Sequence, residues 1–275
     1  DLDLYAANYR TKMVWDAYPE RALAMDSVTR EVDGELRVRP EFREYCRLDT
    51  TEAGPACEWI GEEDRLYLND GSGRFRAADW TGGRFRTAGG EPLERAPRDW
   101  GLTARFHDLN GDGRPDLWVC NDFRSPDRIW LNRGGGRFRA APELSVRSTS
   151  MSCMAVDFSD VDRDGDTDGY ASDMLAPPGP RRKTQQHTYD PAPTPPGRIR
   201  TRVQKNHNTL QVNRGDGTFA ELARARDAEA SGWTWGTMFL DVDLDGREDL
   251  LLANGHVLDV MDADGQQRVA DLRRT

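Results

Sequence analysis

Long apolar runs, lysines and catalytic motifs are all scarce in this sequence. No stretch approaches the roughly 18 apolar residues of a membrane helix, so we expect no membrane span in this segment. The net charge is −10 and only three of the 38 basic residues are lysines. This balance argues against nucleic acid as a partner, because a phosphate backbone selects basic surfaces. No signal peptide opens the chain, whose first residues look like the middle of a motif described below.

Nucleophile elbows, phosphate-binding loops and zinc-peptidase motifs are also missing from the sequence. The candidate catalytic residues are three of the four histidines, His107, His207 and His256. A histidine beside an acidic loop, such as His107, serves as a hydrogen-bond partner more often than as a base. We therefore favour a non-enzymatic role. The alternative is an enzyme, either a lyase or dehydratase acting on sugars or a natural-product biosynthetic enzyme.

The four cysteines form no C-x-x-C motif, the spacing typical of zinc and redox sites. Cys46 and Cys57 lie in a segment that contains Pro and Gly, where both a disulfide and two free thiols fit the sequence. Cys120 and Cys153 lie in apolar runs and are predicted to be buried small hydrophobic residues.

Two short motifs alternate along the chain. The first, which we call the acidic loop, begins at Asp108, Asp160 and Asp241, with a phenylalanine two residues before each start. The second is a Gly-rich hairpin in which alternating apolar residues break at Asn-x-Gly-x-Gly and resume at an aromatic residue. Its copies cover 66–75, 129–138 and 210–219. Alternation around a tight turn predicts two antiparallel strands.

The repeating unit is therefore strand, acidic loop, strand, strand, Gly-rich turn, strand. Four antiparallel strands per unit predict an all-β fold, a β-propeller built from four-stranded antiparallel blades. Complete blades are predicted over 100–141 and 150–224, the latter with a Pro-rich insertion at 176–206. Partial blades are predicted over 1–95, with an insertion at 10–60, and over 231–275. Since propellers close with about four to eight blades, we expect a fragment of a longer propeller. The Pro-rich insertion is interpreted as a solvated, extended loop rather than a docking peptide.

The acidic loops have the composition of calcium sites. Calcium takes six to eight oxygen ligands, and side chains at positions 1, 3 and 5 of a tight loop can converge on one ion. Glycine at position 6 permits the bend, position 7 offers a backbone carbonyl, and an aspartate at position 9 can close the shell. An EF-hand would need glutamate at position 12, where this chain has Val119, Ala171 and Leu252 within strand patterns. The predicted ligands at positions 1, 3, 5, 7 and 9 are Asp108, Asn110, Asp112, Arg114 and Asp116; Asp160, Asp162, Asp164, Asp166 and Asp168; and Asp241, Asp243, Asp245, Arg247 and Asp249.

Three Ca²⁺ sites are thus expected, with a fourth site truncated at Asp1–Asp3, which aligns with the second half of an acidic loop. The competing interpretation of each loop is a solvated aspartate-rich turn. Three copies in register with flanking strands favour calcium. We expect the ions to support structure rather than chemistry, with dissociation constants of about 10⁻⁴–10⁻³ M as in extracellular modules.

These motifs resemble FG-GAP/VCBS repeats, as found in integrin α-subunit propellers. More specifically, they resemble the cartilage-acidic-protein-like proteins with ASPIC/UnbV regions. The resemblance rests on 46–75, 116–123, 213–219 and 232–257, while Gly169 stands where an apolar residue normally follows position 9. It implies a seven-bladed propeller, calcium in the blade loops, and secretion or surface display.

The expected function is a calcium-binding interaction module of the adhesion type, located outside the cell, in the periplasm or at the cell surface. Its ligand would be a protein or a glycan. Trp15, Trp59 and Trp80, in or near the first insertion, are candidates for contacting such a ligand. Four tryptophans that fall within strand patterns are predicted to be core residues: Trp118, Trp130, Trp233 and Trp235.

Overall fold

The computed structural model describes residues 2–18, 23–51, 54–122, 125–185, 202–255 and 262–272. Strands make up 38% of these residues and helices are few, so the protein is all-β, as predicted. The strands are β1 (Leu4–Ala6), β2 (Thr29–Val32), β3 (Glu35–Val38), β4 (Cys46–Thr51), β5 (Gly54–Trp59), β6 (Arg65–Asn69), β7 (Phe75–Ala77), β8 (Phe85–Arg86), β9 (Gly101–His107), β10 (Asp116–Asn121), β11 (Arg128–Asn132), β12 (Phe138–Ala140), β13 (Ser148–Ser150), β14 (Ala155–Ser159), β15 (Asp168–Ser172), β16 (Val203–Lys205), β17 (Thr209–Asn213), β18 (Phe219–Glu221), β19 (Thr234–Leu240) and β20 (Asp249–Asn254). The helices are α1 (Val14–Ala17), α2 (Met25–Val28), α3 (Pro180–Thr184) and α4 (Ala263–Leu272). Within the described ranges, no helix has the length and apolarity needed to cross a bilayer.

Four antiparallel sheets follow one another along the chain. Sheet I has the order β1-β6-β7, sheet II β9-β10-β11-β12, sheet III β14-β15-β17-β18, and sheet IV β19-β20. Strand β8 extends sheet II by pairing in parallel with β12. Sheets II and III repeat the predicted order of strands, acidic loop and Gly-rich turn. No closed sheet forms among the described residues, so the number of blades stays a prediction.

Neighbouring sheets pack face to face, and β10 shows why. Consecutive side chains of a strand point to opposite faces, and the run from Leu117 to Cys120 is apolar at every position. Leu117 and Val119 join the core shared with sheet I. Trp118 and Cys120 join the core shared with sheet III. Burial of an aliphatic side chain of this kind stabilises the fold by about 1.5–3 kcal/mol, so an unbroken apolar run suits a strand covered on both faces.

Among the described residues, only one face of sheet IV is covered. Phe239, Leu250 and Leu252 pack against a core formed around Tyr170 and Leu210 of sheet III. On the opposite face, Met238, Leu240 and Leu251 are each about half exposed, at 47%, 48% and 48%.

The first insertion folds as a small unit with its own core, which we call the inserted subdomain (residues 10–60). It contains the hairpins β2–β3 and β4–β5, packed around Val14, Val28 and Phe42. A disulfide joins Cys46 to Cys57 across the β4–β5 hairpin, which selects one of the two states that the sequence left open.

The chain leaves this subdomain through Gly61, where the backbone passes very close to its neighbour. A Cβ atom at Gly61 would lie 1.6 Å from the carbonyl oxygen of Asp99. The N–H of Gly61 also donates a hydrogen bond of 3.1 Å to the carbonyl of Arg98. Only glycine fits here, so this contact fixes the subdomain on the segment before β9.

Cys120 and Cys153 are buried as predicted, but they are not simple hydrophobic residues. They form a disulfide with a Cα–Cα distance of 5.0 Å. The backbone N–H of Cys153 donates to the carbonyl of Asn121 at 3.1 Å, which brings the segment before β14 against the end of β10. The prediction missed this bond because the two residues are 33 positions apart and belong to neighbouring repeats.

The Pro-rich insertion is structured at both described ends, so its interpretation as a solvated extended loop is wrong there. Helix α3 forms over Pro180–Thr184, and Gln185 is buried with its side-chain amide bonded to Met174 and Ala176. At the other end, β16 pairs in parallel with β13. The middle of the insertion, 186–201, lies outside the described residues.

Candidate metal centres in the acidic loops

The three acidic loops share one hydrogen-bonding framework. Each joins the first two strands of a sheet: β9 to β10, β14 to β15, and β19 to β20. The position 1 carboxylate accepts the backbone N–H groups of positions 5 and 6 at 2.7–3.1 Å in every copy. The position 5 carboxylate accepts the N–H of position 7 at 2.8–3.0 Å. The residues at position 1 are Asp108, Asp160 and Asp241.

The backbone bends at two positions of each loop. Glycine at position 6 has a left-handed φ of 80°, 94° and 81° at Gly113, Gly165 and Gly246, which confirms the predicted reason for its presence. Position 4 is also left-handed, with φ of 69°, 65° and 63° at Gly111, Arg163 and Leu244. The sequence did not indicate this second bend, because arginine and leucine rarely adopt such a conformation.

The aspartate at position 9 connects the loop to the hairpin of the same sheet. One of its oxygens accepts the N–H of position 2 at 2.9–3.2 Å in all three loops. In sheets II and III the other oxygen accepts the N–H of the asparagine that opens the Gly-rich turn, at 2.7 Å for Asp116–Asn132 and 2.8 Å for Asp168–Asn213. We call this second bond the Asp–Asn clasp.

The Asp–Asn clasp also occurs in sheet I, where the sequence predicts a fourth site. Asp3, which aligns with position 9, accepts the N–H of Asn69 at 3.0 Å, whereas Asp1 lies outside the described residues. Asp116 and Asp168 are fully buried, but Asp249 is exposed because sheet IV has no third strand among the described residues. Sequence reasoning assigned the hairpin asparagine to the turn alone. Its recurrence at the same place in each hairpin was the signal for a second role.

Carboxylate oxygens converge in the second and third loops. One oxygen from each of Asp160, Asp162 and Asp168 lies within 4.8 Å of the others, and Asp241, Asp243 and Asp249 form the same arrangement. These are positions 1, 3 and 9. The predicted position 5 ligands, Asp164 and Asp245, lie outside the two groups and accept the N–H of position 7 instead.

The first loop differs because Asn110 supplies an amide at position 3. Its oxygen accepts the N–H of Asp112 at 3.0 Å, as Asp243 does from Asp245 at 3.2 Å. The guanidinium of Arg114 forms an ion pair with Asp112, so a side chain already neutralises part of this loop. In each loop the backbone N–H of position 7 donates to the position 5 carboxylate. The predicted position 7 residues are Arg114, Asp166 and Arg247.

A bound cation would offset the cost of charging the two buried position 9 aspartates, Asp116 and Asp168. Burial, with smaller contributions from Asp112 and Asp108, raises the pKa of Asp116 to about 6. Burial also raises the pKa of Asp168, helped by Asp162 and Asp164. Hard, closely spaced oxygen donors are the ligand set that Ca²⁺ and Mg²⁺ prefer. The residues present therefore fit a divalent cation.

A third group of possible ligands is not a metal site in this structure. The sulfurs of Cys120 and Cys153 lie near a carboxylate oxygen of Asp127, but they are bonded to each other. Asp127 accepts hydrogen bonds of 3.1 Å from Trp118 Nε1 and the N–H of Asn121. Complete burial raises its pKa to about 7.

Two of the three candidate catalytic histidines, His107 and His207, lie among the described residues and contact neighbouring groups of the fold. The ring of His107 stacks on Phe158 with centroids 5.0 Å apart, and its Nε2 lies 3.3 Å from Thr167 Oγ1. Burial lowers its pKa. His207 is buried, with Nδ1 2.6 Å from the carbonyl of Asn208. His256 lies outside the described residues.

The burial of the tryptophans agrees only in part with the prediction. Trp118, Trp130 and Trp233 are buried, as expected of core residues. Trp235 is 49% exposed, so its assignment to the core is wrong. The candidate ligand-contacting residues also divide: Trp80 is buried, whereas Trp15 is exposed and Trp59 is half-buried.

Comparison with known proteins places a repeat at these loops. The family model described as an FG-GAP-like repeat matches residues 108–171, which run from the first acidic loop through the second. The chain thus contains an FG-GAP-like repeat, as predicted; the match does not extend to the more specific ASPIC/UnbV assignment. No curated protein matches the sequence.

Among solved structures, the chain is similar to a lectin from Agrocybe aegerita that is described as specifically recognising non-reducing terminal N-acetylglucosamine. The identity is 14% and the TM-score 0.36, and the alignment covers 75% of this chain and 46% of the lectin chain. The chain therefore spans less than half the length of that structure.

Proposed function

We propose that this chain is part of a calcium-stabilised β-propeller that serves as an interaction module outside the cytosol. The observation that carries the proposal is the common framework of the three acidic loops. A solvated aspartate-rich turn has no need to orient its position 1, 5 and 9 carboxylates in the same way three times.

Calcium suits these loops better than softer metals do. Their ligand atoms are carboxylate and amide oxygens, and calcium tolerates the irregular coordination that such loops provide, whereas Mg²⁺ demands a near-ideal octahedron. In all three loops position 9 accepts the N–H of position 2, and in sheets II and III the Asp–Asn clasp also ties it to the hairpin. An ion held between positions 1, 3 and 9 would therefore brace the loop against the sheet, which is a structural role.

Location outside the cytosol is supported by the two disulfides, Cys46–Cys57 and Cys120–Cys153. Disulfides persist in oxidising compartments and are rare in the cytosol. The millimolar calcium outside the cytosol would also fill sites with dissociation constants of about 10⁻⁴–10⁻³ M. An adhesion-type role within the cartilage-acidic-protein-like group, with protein or glycan ligands, is the finer form of this proposal.

Native mass spectrometry of the full chain tests the calcium sites. We expect three bound Ca²⁺ ions in millimolar calcium and no such binding in equal magnesium. A protein that stays metal-free would overturn the calcium assignment. A screen of glycans and extracellular proteins, run with calcium and with chelator, then tests the role as an interaction module.

A further inference from the structure

A cavity of about 790 Å³ lies between the inserted subdomain and the segment that leads into β9. Arg47, Glu58 and Trp59 of the β4–β5 hairpin line one side. Residues 91–99 line the other, including Arg95 and Arg98. Small-molecule sites usually enclose about 300–1,000 Å³, so the cavity has the size of a ligand site.

Arginines dominate the charge that is left unpaired in this cavity. Two of its five lining arginines are satisfied by lining carboxylates, since Arg47 pairs with Glu58 and Arg128 pairs with Asp99. Of the other lining acids, Glu63 lies 3.7 Å from Arg65, which is outside the lining, and Glu91 accepts the hydroxyl of Thr87, a neutral lining residue, at 2.6 Å.

Three lining arginines remain: Arg43, Arg95 and Arg98. In the described ranges none of them forms an ion pair, and the buried Nε of Arg98 has no acceptor. Glu91 and Glu94 are the lining acids that form no ion pair in the described ranges, so three guanidinium groups face two carboxylates.

The unpaired groups define the chemistry of the ligand. Guanidinium groups bind carboxylate and sulfate in a planar, bidentate manner, so several arginines select a ligand with more than one anionic group. Trp59 adds an aromatic surface at the cavity wall, and its ring combines an apolar face with a polar edge. We propose that this cavity binds an acidic saccharide, one that carries uronate carboxylates or sulfate esters.

The cavity walls are held in place before any ligand arrives. The Cys46–Cys57 disulfide closes the β4–β5 hairpin. Trp100 Nε1 donates to the carbonyl of Trp59 at 3.2 Å, and Gly61 donates to the carbonyl of Arg98 at 3.1 Å. Such preorganisation reduces the entropy lost on binding. This inference builds on the proposed role as an interaction module, but none of the acidic-loop residues lines the cavity.

Isothermal titration of the full chain tests the inference with four probes: a heparin hexasaccharide, a galacturonate hexasaccharide, uncharged maltohexaose and a thymidine hexanucleotide. We expect the sulfated or the carboxylated probe to bind at least tenfold more tightly than the other two. Arg95→Gln, an exposed position whose replacement leaves the fold intact, should weaken that binding about tenfold, the effect of losing one charge-assisted hydrogen bond. Arg98→Gln should have a similar effect.

Arg74→Gln is the matched control, because Arg74 is exposed in the turn between β6 and β7 and lies outside the cavity lining. Equal binding by maltohexaose, equal binding by the oligonucleotide, or an equal loss in the Arg74 and Arg95 variants would overturn the inference. Each titration is run in calcium and in chelator. Loss of acidic-saccharide binding alone, with calcium still bound, refutes this inference only; loss of calcium binding alone refutes the proposed calcium sites only.

Discussion

Replacing Asp168 by asparagine separates calcium binding from ordinary hydrogen bonding in the second acidic loop. Asp168 is fully buried, and its two oxygens accept the N–H groups of Val161 and Asn213 at 2.9 and 2.8 Å. Asparagine keeps one acceptor oxygen but replaces the other by an NH₂ group. It also removes the negative charge that would hold the ion.

The expected free energy change depends on calcium. In chelator, Asp168→Asn loses one hydrogen bond to a charged acceptor, at most about 3 kcal/mol. The loss is partly offset because the variant no longer buries a charge beside Asp162 and Asp164, the groups that help to raise its pKa. When calcium is present at ten to a hundred times its dissociation constant, binding to the native loop adds about 1.4–2.7 kcal/mol. The variant should lose this amount in addition.

Urea denaturation in calcium and in chelator at one pH measures the difference, with Asp216→Asn as the control. Asp216 is exposed in a Gly-rich turn, where its Oδ1 accepts the N–H and hydroxyl of Thr218 at 2.9 and 2.6 Å. The same substitution there keeps an oxygen that can accept both bonds, so its effect on stability should be small and equal in both media. If the two variants show the same calcium dependence, Asp168 does not bind the ion.

Three further changes test separate features. Asp243→Ala should reduce the bound calcium from three ions to two by native mass spectrometry; three ions retained would contradict its role as a ligand. Leu244→Gly should stabilise the chain by about 0.5–1 kcal/mol in urea denaturation, since relief of a left-handed leucine outweighs the entropy of glycine; a destabilised variant would contradict this. Burial raises the pKa of Asp127 to about 7, above its unfolded value near 4, so the folded state retains a proton that the unfolded state releases. The free energy of unfolding should therefore fall as pH rises from about 4 to 7, by at most about 1.4 kcal/mol per pH unit. Asp127→Asn should flatten this slope. An unchanged slope in the variant would contradict the role of Asp127.

Features encoded by neighbouring residues could be predicted from the sequence. The alternation around each Asn-x-Gly turn predicted the hairpins, and the apolar runs after the first and third acidic loops predicted strands β10 and β20. The bend at position 6 also followed from glycine alone. The bend at position 4 could not be predicted, because Arg163 and Leu244 are held there by the hydrogen bonds around them and not by their own preference.

Features that depend on contacts between distant segments were missed. The bond between Cys120 and Cys153 requires two repeats to pack in register. The Asp–Asn clasp joins residues on different strands, as Asp116 and Asn132 show. Exposure of Trp235 depends on which sheet covers sheet IV, and the strand pattern around the residue contains no information on that point.

Gly61 has a consequence for how this chain can change. It is one of the points where the inserted subdomain rests on the segment before β9, and at this point the contact is made by backbone atoms. Side chains on the subdomain side of the cavity, such as Arg43 and Trp59, can therefore vary without altering the packing between β10 and its neighbours. A scaffold fixed by repeats and an attachment free to vary would let related chains exchange one ligand for another while keeping the same core.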